Sequence, residues 1–307
     1  MQCTSDPATR SGFPLDAGRA GRDHFGMLKL SAFADEIGPD LDQQIRVCRE
    51  NDVTHFELRG VYGKNVMDFD AGLRKDIKTK LQANGMGVVS IGSPIGKVAI
   101  DRPWQEHFDR FKLAVELAEY FESPFIRLFS YYPVGGEGKG PIEPHRGEVI
   151  DRFLQKVEYI GDRNITMVHE NEKGIYGDIG RRCRDLMQAV ESPKLRCAFD
   201  SANFVQCGER PRDNWPLLKP YTVHIHIKDA LLGSGKVVPA GEGDGDYPEI
   251  LADAYGSGYR GFLTLEPHLK VAGHSHGETG PELFKVAADA LKAVCKAKGI
   301  PLRGNSE

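Results

Sequence analysis

Four residues in the second half of this chain carry side chains that bind divalent cations: Glu170, Asp200, His226 and Glu266. Each stands at or near the end of a short apolar or β-branched run: 164–170 (NITMVHE), 195–200 (LRCAFD), 221–227 (YTVHIHI) and 262–267 (FLTLEP). In an extended strand, alternate residues share a face. Glu170 then lies with Val168, Asp200 with Ala198, His226 with His224, and Glu266 with Thr264 and Phe262. Three carboxylates and one imidazole make a mostly hard donor set. It suits one Mn²⁺, with Mg²⁺ or Co²⁺ as alternatives, better than Zn²⁺. Parity leaves two choices open, because Glu172 shares the face of Glu170 and His224 that of His226. His224 sits deeper in its run, where packing or a hydrogen bond to a ligand is the expected role.

Such a set needs a scaffold that brings four strand ends to one level. Strand candidates fall at 28–34, 53–59, 86–92, 125–130, 164–170, 195–200, 221–227 and 262–267. Their apolar character suits strands covered on both faces, as in a parallel sheet. Helix candidates alternate with them at 40–51, 70–84, 102–121, 145–161, 180–191, 246–256 and 281–298. A short piece near 213–219 stands in for the sixth helix. Gly85 is a natural stop for the second helix. Asp101 and Pro103 read as the cap and first turn of the third. This alternation predicts a single (β/α)₈ TIM barrel over 27–307. No G-x-G-x-x-G follows a strand and no phosphate-binding G-x-x-x-x-G-K-[ST] occurs, so nucleotide folds lack support. In a TIM barrel the chemistry sits where strands end, and the four candidates fall there.

Other polar residues are expected around the barrel mouth. Arg127, Lys228, Asn203 and Glu57 are read as substrate-binding. For Arg127 the alternative is an internal salt bridge, for Lys228 a loop pair with Asp229, and for Glu57 an ion pair with Arg59 on the same face. His169 points away from Glu170 and reads as structural. The acidic, glycine-rich stretch 240–246 (AGEGDGD) would repel phosphate, and reads as a mobile wall.

The bulk numbers exclude several classes. The 307 residues are 40% hydrophobic and 27% charged, an ordinary composition for a globular chain able to bury a large core. A net charge of −4 and a pI near 6.2 offer no basic excess for a nucleic acid partner. No run approaches the ~18 apolar residues of a membrane span. Six cysteines, Cys3, Cys48, Cys183, Cys197, Cys207 and Cys295, form no C-x-x-C pair, which predicts reduced thiols in a cytoplasmic protein. Residues 1–26 lack period and an apolar stretch, and read as a disordered extension without signal-peptide character.

The chain resembles the sugar phosphate isomerase/epimerase superfamily of xylose isomerase-like TIM barrels, which also holds the AP endonuclease family 2 enzymes. The resemblance covers roughly 28–298. Its marks are SAFADEIG, FELRG, SIGSPIGK, IRLFS, HENEKGIYGD, AFDSANF, HIHIKD and LTLEPH on successive strands. It implies that the family's Glu–Asp–His–Glu metal quartet falls on Glu170, Asp200, His226 and Glu266, and its E-N pattern favours Glu170 over Glu172. It implies a sugar isomerase or epimerase in which Glu170 and Glu266 move a proton through a metal-bound cis-enediolate. A lyase or dehydratase acting on a keto sugar, keto-glycoside or inosose is the alternative, since it begins with the same proton abstraction. A non-catalytic sugar-binding subunit is a third reading. The trinuclear endonuclease branch does not fit: Asn203 stands where it needs His, no His ends strands three or four, and no D-x-H follows His226. The expected partner is a small carbohydrate, and relatives of this type form homodimers or homotetramers.

Overall fold

The computed structural model describes residues 26–272 and 277–304. Apart from Gly26, the expected extension lies outside the described residues, as does Cys3. Eight strands form the barrel: β1 (Lys29–Ala32), β2 (Val53–Leu58), β3 (Gly87–Ile91), β4 (Phe125–Leu128), β5 (Thr166–Glu170), β6 (Leu195–Asp200), β7 (Thr222–Ile227) and β8 (Phe262–Leu265). All are parallel, each pairs with its neighbours in sequence, and β1 closes the ring against β8. The register sets the site. Glu170 pairs with Ala198, Asp200 with His226, and His226 with Thr264, so the ends of β5 to β8 lie side by side.

Nine α-helices occur among the described residues: α1 (Leu41–Glu50), α2 (Ala71–Ala83), α3 (Trp104–Phe121), α4 (Arg146–Ile160), α5 (Gly180–Val190), α6 (Ser201–Gln206), α7 (Pro211–Leu218), α8 (Tyr247–Gly256) and α9 (Gly280–Ala297). Their starts follow local chemistry. Asp40 accepts the Gln43 N–H (2.8 Å) and Asp70 the Leu73 N–H (2.9 Å), each satisfying a donor that the first helical turn leaves unpaired. Gly85 and Gly161 follow α2 and α4 at positive φ (67° and 52°). Amphipathic faces then pack on the barrel. On α3, Phe111, Leu117 and Phe121 are buried, each contributing about 1.5–3 kcal/mol of transfer free energy.

Three elements differ from expectation. The third helix starts at Trp104, and Pro103 occupies its cap position without a side-chain cap bond. The cause is the proline, which keeps the preceding Arg102 out of the helical region. Asp101 instead accepts the Gly135 N–H (3.4 Å). Second, a one-turn helix, α6, begins directly after β6, ahead of the expected short piece at α7. Asp200 caps it, accepting the Asn203 N–H through Oδ1 (2.9 Å). Third, β1 stops at Ala32, and a 3₁₀ turn over Ala34–Glu36 carries Asp35 and Glu36 toward the mouth.

The five described cysteines are free thiols. No helix among the described residues is long and apolar enough to cross a membrane.

Outside the barrel, Lys156 of α4 is fully buried among Trp104, Phe111, Phe153 and Tyr131. Its Nζ donates to the Tyr131 hydroxyl (2.6 Å). Burial, with Arg152 nearby, drives the ammonium well below its ordinary pKa. The sign of the linkage follows. Between the two pKa values the unfolded chain holds more protons, so stability rises with pH toward the ordinary lysine value. Lys156→Met keeps the volume and removes the titration. It should raise stability at pH 7 by about 1–3 kcal/mol, and by clearly less at pH 10. Urea unfolding at both pH values measures this. A gain of equal size at the two would contradict a lysine held neutral by the fold.

Candidate metal centre

Beneath the mouth, the barrel interior carries a polar layer. Ser31 Oγ meets Thr264 Oγ1 (2.6 Å), Thr264 Oγ1 meets His224 Nε2 (2.8 Å), and His224 Nε2 meets Glu57 Oε2 (2.8 Å). The Ser90 hydroxyl donates to Glu57 Oε1 (3.0 Å). All five residues are buried, so the layer replaces water with its own partners. Glu57 therefore sits under the quartet, enclosed by His224, His226 and Ser90. It faces the imidazoles and has no open side toward a substrate, in contrast to the expected substrate-binding role. The expected Glu57–Arg59 pair is also replaced, because Arg59 lies past the end of β2 and turns to Asp35, Glu36 and Glu266.

One level higher, Glu170, Asp200, His226 and Glu266 converge, with one donor atom from each inside a sphere where all pairs lie within 4.8 Å. All four are buried. Glu57 fixes the orientation of His226 from behind: Nε2 lies 3.1 Å from Glu57 Oε2. That contact assigns the Nε2 proton to the glutamate side and turns Nδ1 toward the carboxylates. Nδ1 has no hydrogen-bond partner, yet lies 3.3 Å from Glu170 Oε1 and 3.8 Å from Glu266 Oε2.

Each glutamate is split in function. On Glu170, Oε2 takes the Arg127 guanidinium (3.1 Å), while Oε1 faces Nδ1 and takes the Asn203 amide (3.3 Å). On Glu266, Oε1 takes the Arg59 guanidinium (3.0 Å), and Oε2 faces Nδ1 and the Lys228 ammonium (3.3 Å). Asp200 Oδ2 accepts no hydrogen bond, though Lys228 Nζ approaches to 2.9 Å off the bonding axis. Thus a buried imidazole nitrogen and a buried carboxylate oxygen, both without hydrogen-bond partners, face the same point. A buried polar atom left without a hydrogen bond costs about 1–3 kcal/mol; a cation at that point would satisfy the imidazole nitrogen and share the Asp200 oxygen with Lys228.

The charges make the same case. Six carboxylates, Asp35, Glu36, Glu57, Glu170, Asp200 and Glu266, face four cations, Arg59, Arg127, Lys228 and the His268 imidazolium. Two negative charges remain, equal to one divalent ion if His224 and His226 are neutral. Protons take up part of that deficit when no ion is bound. Burial opposes an imidazolium at His226, but Glu170 and Glu57 hold its pKa well above the usual histidine value. Burial pushes Asp200 up to about 6, against the pull of Lys228 and helped by Glu170 and Glu266. Burial also acts to raise Glu170, and His226 and Arg127 overcome it, holding that carboxyl at about 2.

The remaining candidates fall into place around this centre. Arg127, Lys228 and Asn203 all touch the quartet, so each already has an internal role. Glu172 turns outward to Lys97 (2.6 Å). His169 pairs with Ser130 (2.9 Å) on the outer face of β5. Asp229 does not pair with Lys228. It accepts the N–H groups of Gly241, Gly243 and Gly245 (2.8–3.1 Å) and so pins the stretch read as a mobile wall. A side chain at Gly243 would meet Asp229 Oδ1 at 2.3 Å, which accounts for the glycines.

Sequence reasoning missed Glu36 and His268. Glu36 accepts from the Thr279 hydroxyl (2.7 Å) and the His268 N–H (2.8 Å), and His268 Nε2 lies 3.4 Å from Glu266 Oε1. Burial works against the His268 imidazolium, yet Glu36 and Glu266 raise its pKa to about 9. Both residues stand inside motifs that carry the resemblance, SAFADEIG and LTLEPH, but strand parity does not extend to residues past a strand end.

Comparison with known proteins gives a consistent picture. A family model described as a xylose isomerase-like TIM barrel matches residues 45–301. A 3-dehydroshikimate dehydratase from Bacillus anthracis is 19% identical over 186 residues, which is 60% of this chain; the chain spans 65% of that relative's length. A D-allulose 3-epimerase from Methylomonas sp., solved with D-allulose, superposes with a TM-score of 0.68 at 14% identity, covering 88% of this chain and 97% of its own. A xylose isomerase-like TIM barrel protein from Mycobacterium smegmatis, solved with magnesium, gives 0.67 at 15% identity, with 90% and 98% covered. Epimerases and a dehydratase thus share this fold. The chain belongs to the xylose isomerase-like TIM barrel family.

Proposed function

We propose that this protein is a divalent-metal-dependent isomerase or epimerase of a sugar, with Glu170, Asp200, His226 and Glu266 as ligands. The observation that carries this is the convergence of His226 Nδ1 and Asp200 Oδ2, neither of which makes a hydrogen bond, with two ionised glutamates at the end of a barrel. A bound Mn²⁺, Mg²⁺ or Co²⁺ would polarise a substrate carbonyl and acidify the C–H bond beside it. The chain's own residues do the rest. Against their burial, His226 and Arg127 keep Glu170 ionised, and Lys228 and His268 keep Glu266 ionised, the form that accepts a proton. The two glutamates come from β5 and the end of β8, so a substrate lying between them meets one carboxylate on either side. One removes the proton and the other returns it, which inverts or relocates the carbonyl-adjacent centre. Asp200 and His226 hold no free proton-transfer role in this scheme, since one caps α6 and the other is fixed by Glu57.

A second reading is elimination, and Lys228 favours it. Its ammonium touches both Asp200 and Glu266, and those carboxylates hold it protonated well above the usual lysine range even though burial opposes the charge. In that reading a glutamate takes the C–H proton and Lys228 delivers one to the departing hydroxyl. The dehydratase relative is consistent with it. NMR in D₂O separates the two on a panel of keto sugars: deuterium entry with products of equal mass marks isomerisation or epimerisation, and loss of water marks the lyase.

Two variants test the assignments. Glu266→Gln keeps an oxygen ligand and removes the base, so turnover should fall about 10²–10⁴-fold while metal content stays near that of the parent. Activity within a few-fold of the parent would remove Glu266 from proton transfer. Glu57→Ala removes no ligand, yet frees His226 Nε2, and should weaken Mn²⁺ binding about 10–100-fold in a competition titration. Unchanged affinity would mean that Glu57 does not orient the histidine.

A further inference from the structure

A barrel has two ends, and the chemistry above occupies one of them. At the other, where the strands begin, lies a cleft of about 340 Å³, bounded by the start of β1, the last turns of α9 and the tail at 300–304. Backbone bonds fix its walls. Leu28 N–H donates to Pro301 O and Arg303 N–H to Leu28 O (both 2.9 Å), so the tail runs parallel to the start of β1. Ile300 N–H returns to Cys295 O (2.9 Å) and closes the turn after α9.

Charge in this cleft is unbalanced, on a chain whose net charge is −4. Lys292, Lys296 and Arg303 line it, and among the described residues Asp52 is the one carboxylate in its walls. Asp52 is matched by Lys292 (2.7 Å). Among the described residues no carboxylate pairs with Lys296, with Arg303 or with the neighbouring Lys29. Burial and then the Arg303 charge lower the Lys29 pKa, and burial, Lys29 and Arg303 bring His55 down to about 4. Lys292 and Lys296, one turn apart on α9, add a like-charge pair. A helix C-terminus favours cations, which accounts for Lys296. It does not account for Arg303 or Lys29, which belong to the tail and to β1.

The lining selects a ligand class. Two unmatched cations, one of them a planar guanidinium fork, suit an oxyanion that accepts paired hydrogen bonds. Leu30, Ile300 and Leu302 supply apolar wall for a carbon skeleton. The volume is that of a site for a small metabolite rather than for a lone ion. We propose that this cleft binds a small organic polyanion, a phosphate ester or a polycarboxylate, at the end of the barrel opposite the metal centre. TIM barrels hold substrate and its phosphate at the end where the strands finish. An anion bound here is therefore a separate ligand. It offsets the repulsion among the cations and ties the tail, α9 and β1 together, so its binding adds to the stability of the fold.

The test is isothermal titration calorimetry of the full chain at fixed ionic strength. The probes are glycerol 3-phosphate, citrate, inorganic phosphate and, as the neutral counterpart, glycerol. Glycerol 3-phosphate or citrate should bind once per chain, more tightly than about 1 mM, and which of the two binds names the source of the charge. The same anion should raise the melting temperature, and added NaCl should weaken its binding. Arg303→Gln together with Lys296→Gln should weaken it at least about tenfold. Lys296→Gln alone, at an exposed position, should weaken it several-fold and guards against misfolding of the double variant. Replacing Asp200 by Asn and Glu170 by Gln should leave it unchanged, which separates this cleft from the metal centre. No saturable binding of either organic anion, or binding that survives the double cleft variant, would overturn the site. So would binding lost on replacing the metal-centre pair, or inorganic phosphate and glycerol binding as tightly as the organic anions.

Discussion

Like charges buried together are the constraint around which this barrel mouth is arranged. Glu170, Asp200 and Glu266 bring carboxylate oxygens within 4.8 Å of one another in a space closed to water. At that separation and an effective dielectric near 20, each pair repels by roughly 3–4 kcal/mol. The fold answers with fixed cations. Arg127 comes from β4 and Arg59 from the end of β2, and each takes one oxygen of a glutamate while leaving the other turned inward; Lys228, from the end of β7, lies among the inward oxygens themselves, 2.9 Å from Asp200 Oδ2. The inward atoms then surround one point. What appears as a metal site is thus the geometric remainder after every other charge has been met.

The same constraint explains the layer below. An imidazole can add its lone pair to that point only if its other nitrogen is held, and Glu57 holds it. Glu57 is in turn a buried charge, and His224, Ser90, Thr264 and Ser31 extend its hydrogen bonds across the barrel floor. Outside the ring, Asp229 gathers three glycine N–H groups and fixes the loop that follows Lys228. Function and stability therefore draw on the same bonds. A variant in the floor would be felt at the quartet, while a variant such as one at Lys156, on the outer shell, would be felt only in stability.

Much of this was legible from the chain. Period-two alternation placed Glu170, Asp200, His226 and Glu266 on the inward face, because a strand in a closed barrel has only two faces and one of them is the core. The same rule separated His169 from Glu170. What alternation could not supply was the set of contacts between residues distant in sequence. Glu57 and His226 are 169 residues apart, and only closure of the barrel reveals that Glu57 serves the histidine. Arg127 read equally as substrate ligand or salt bridge, since type and position are the same for both. Glu36 and His268 follow strands that end in irregular turns, one a 3₁₀ turn and the other a residue at φ 47°, where no periodicity applies.

The claim at the centre is that one divalent ion completes the quartet. Its most direct test is a titration of metal-free protein with Mn²⁺, followed by electron paramagnetic resonance of the free ion. The account predicts a single site per chain, lost when Asp200 is replaced by Asn together with Glu170→Gln. Failure to bind Mn²⁺, Mg²⁺ or Co²⁺, or binding that survives this double replacement, would contradict it.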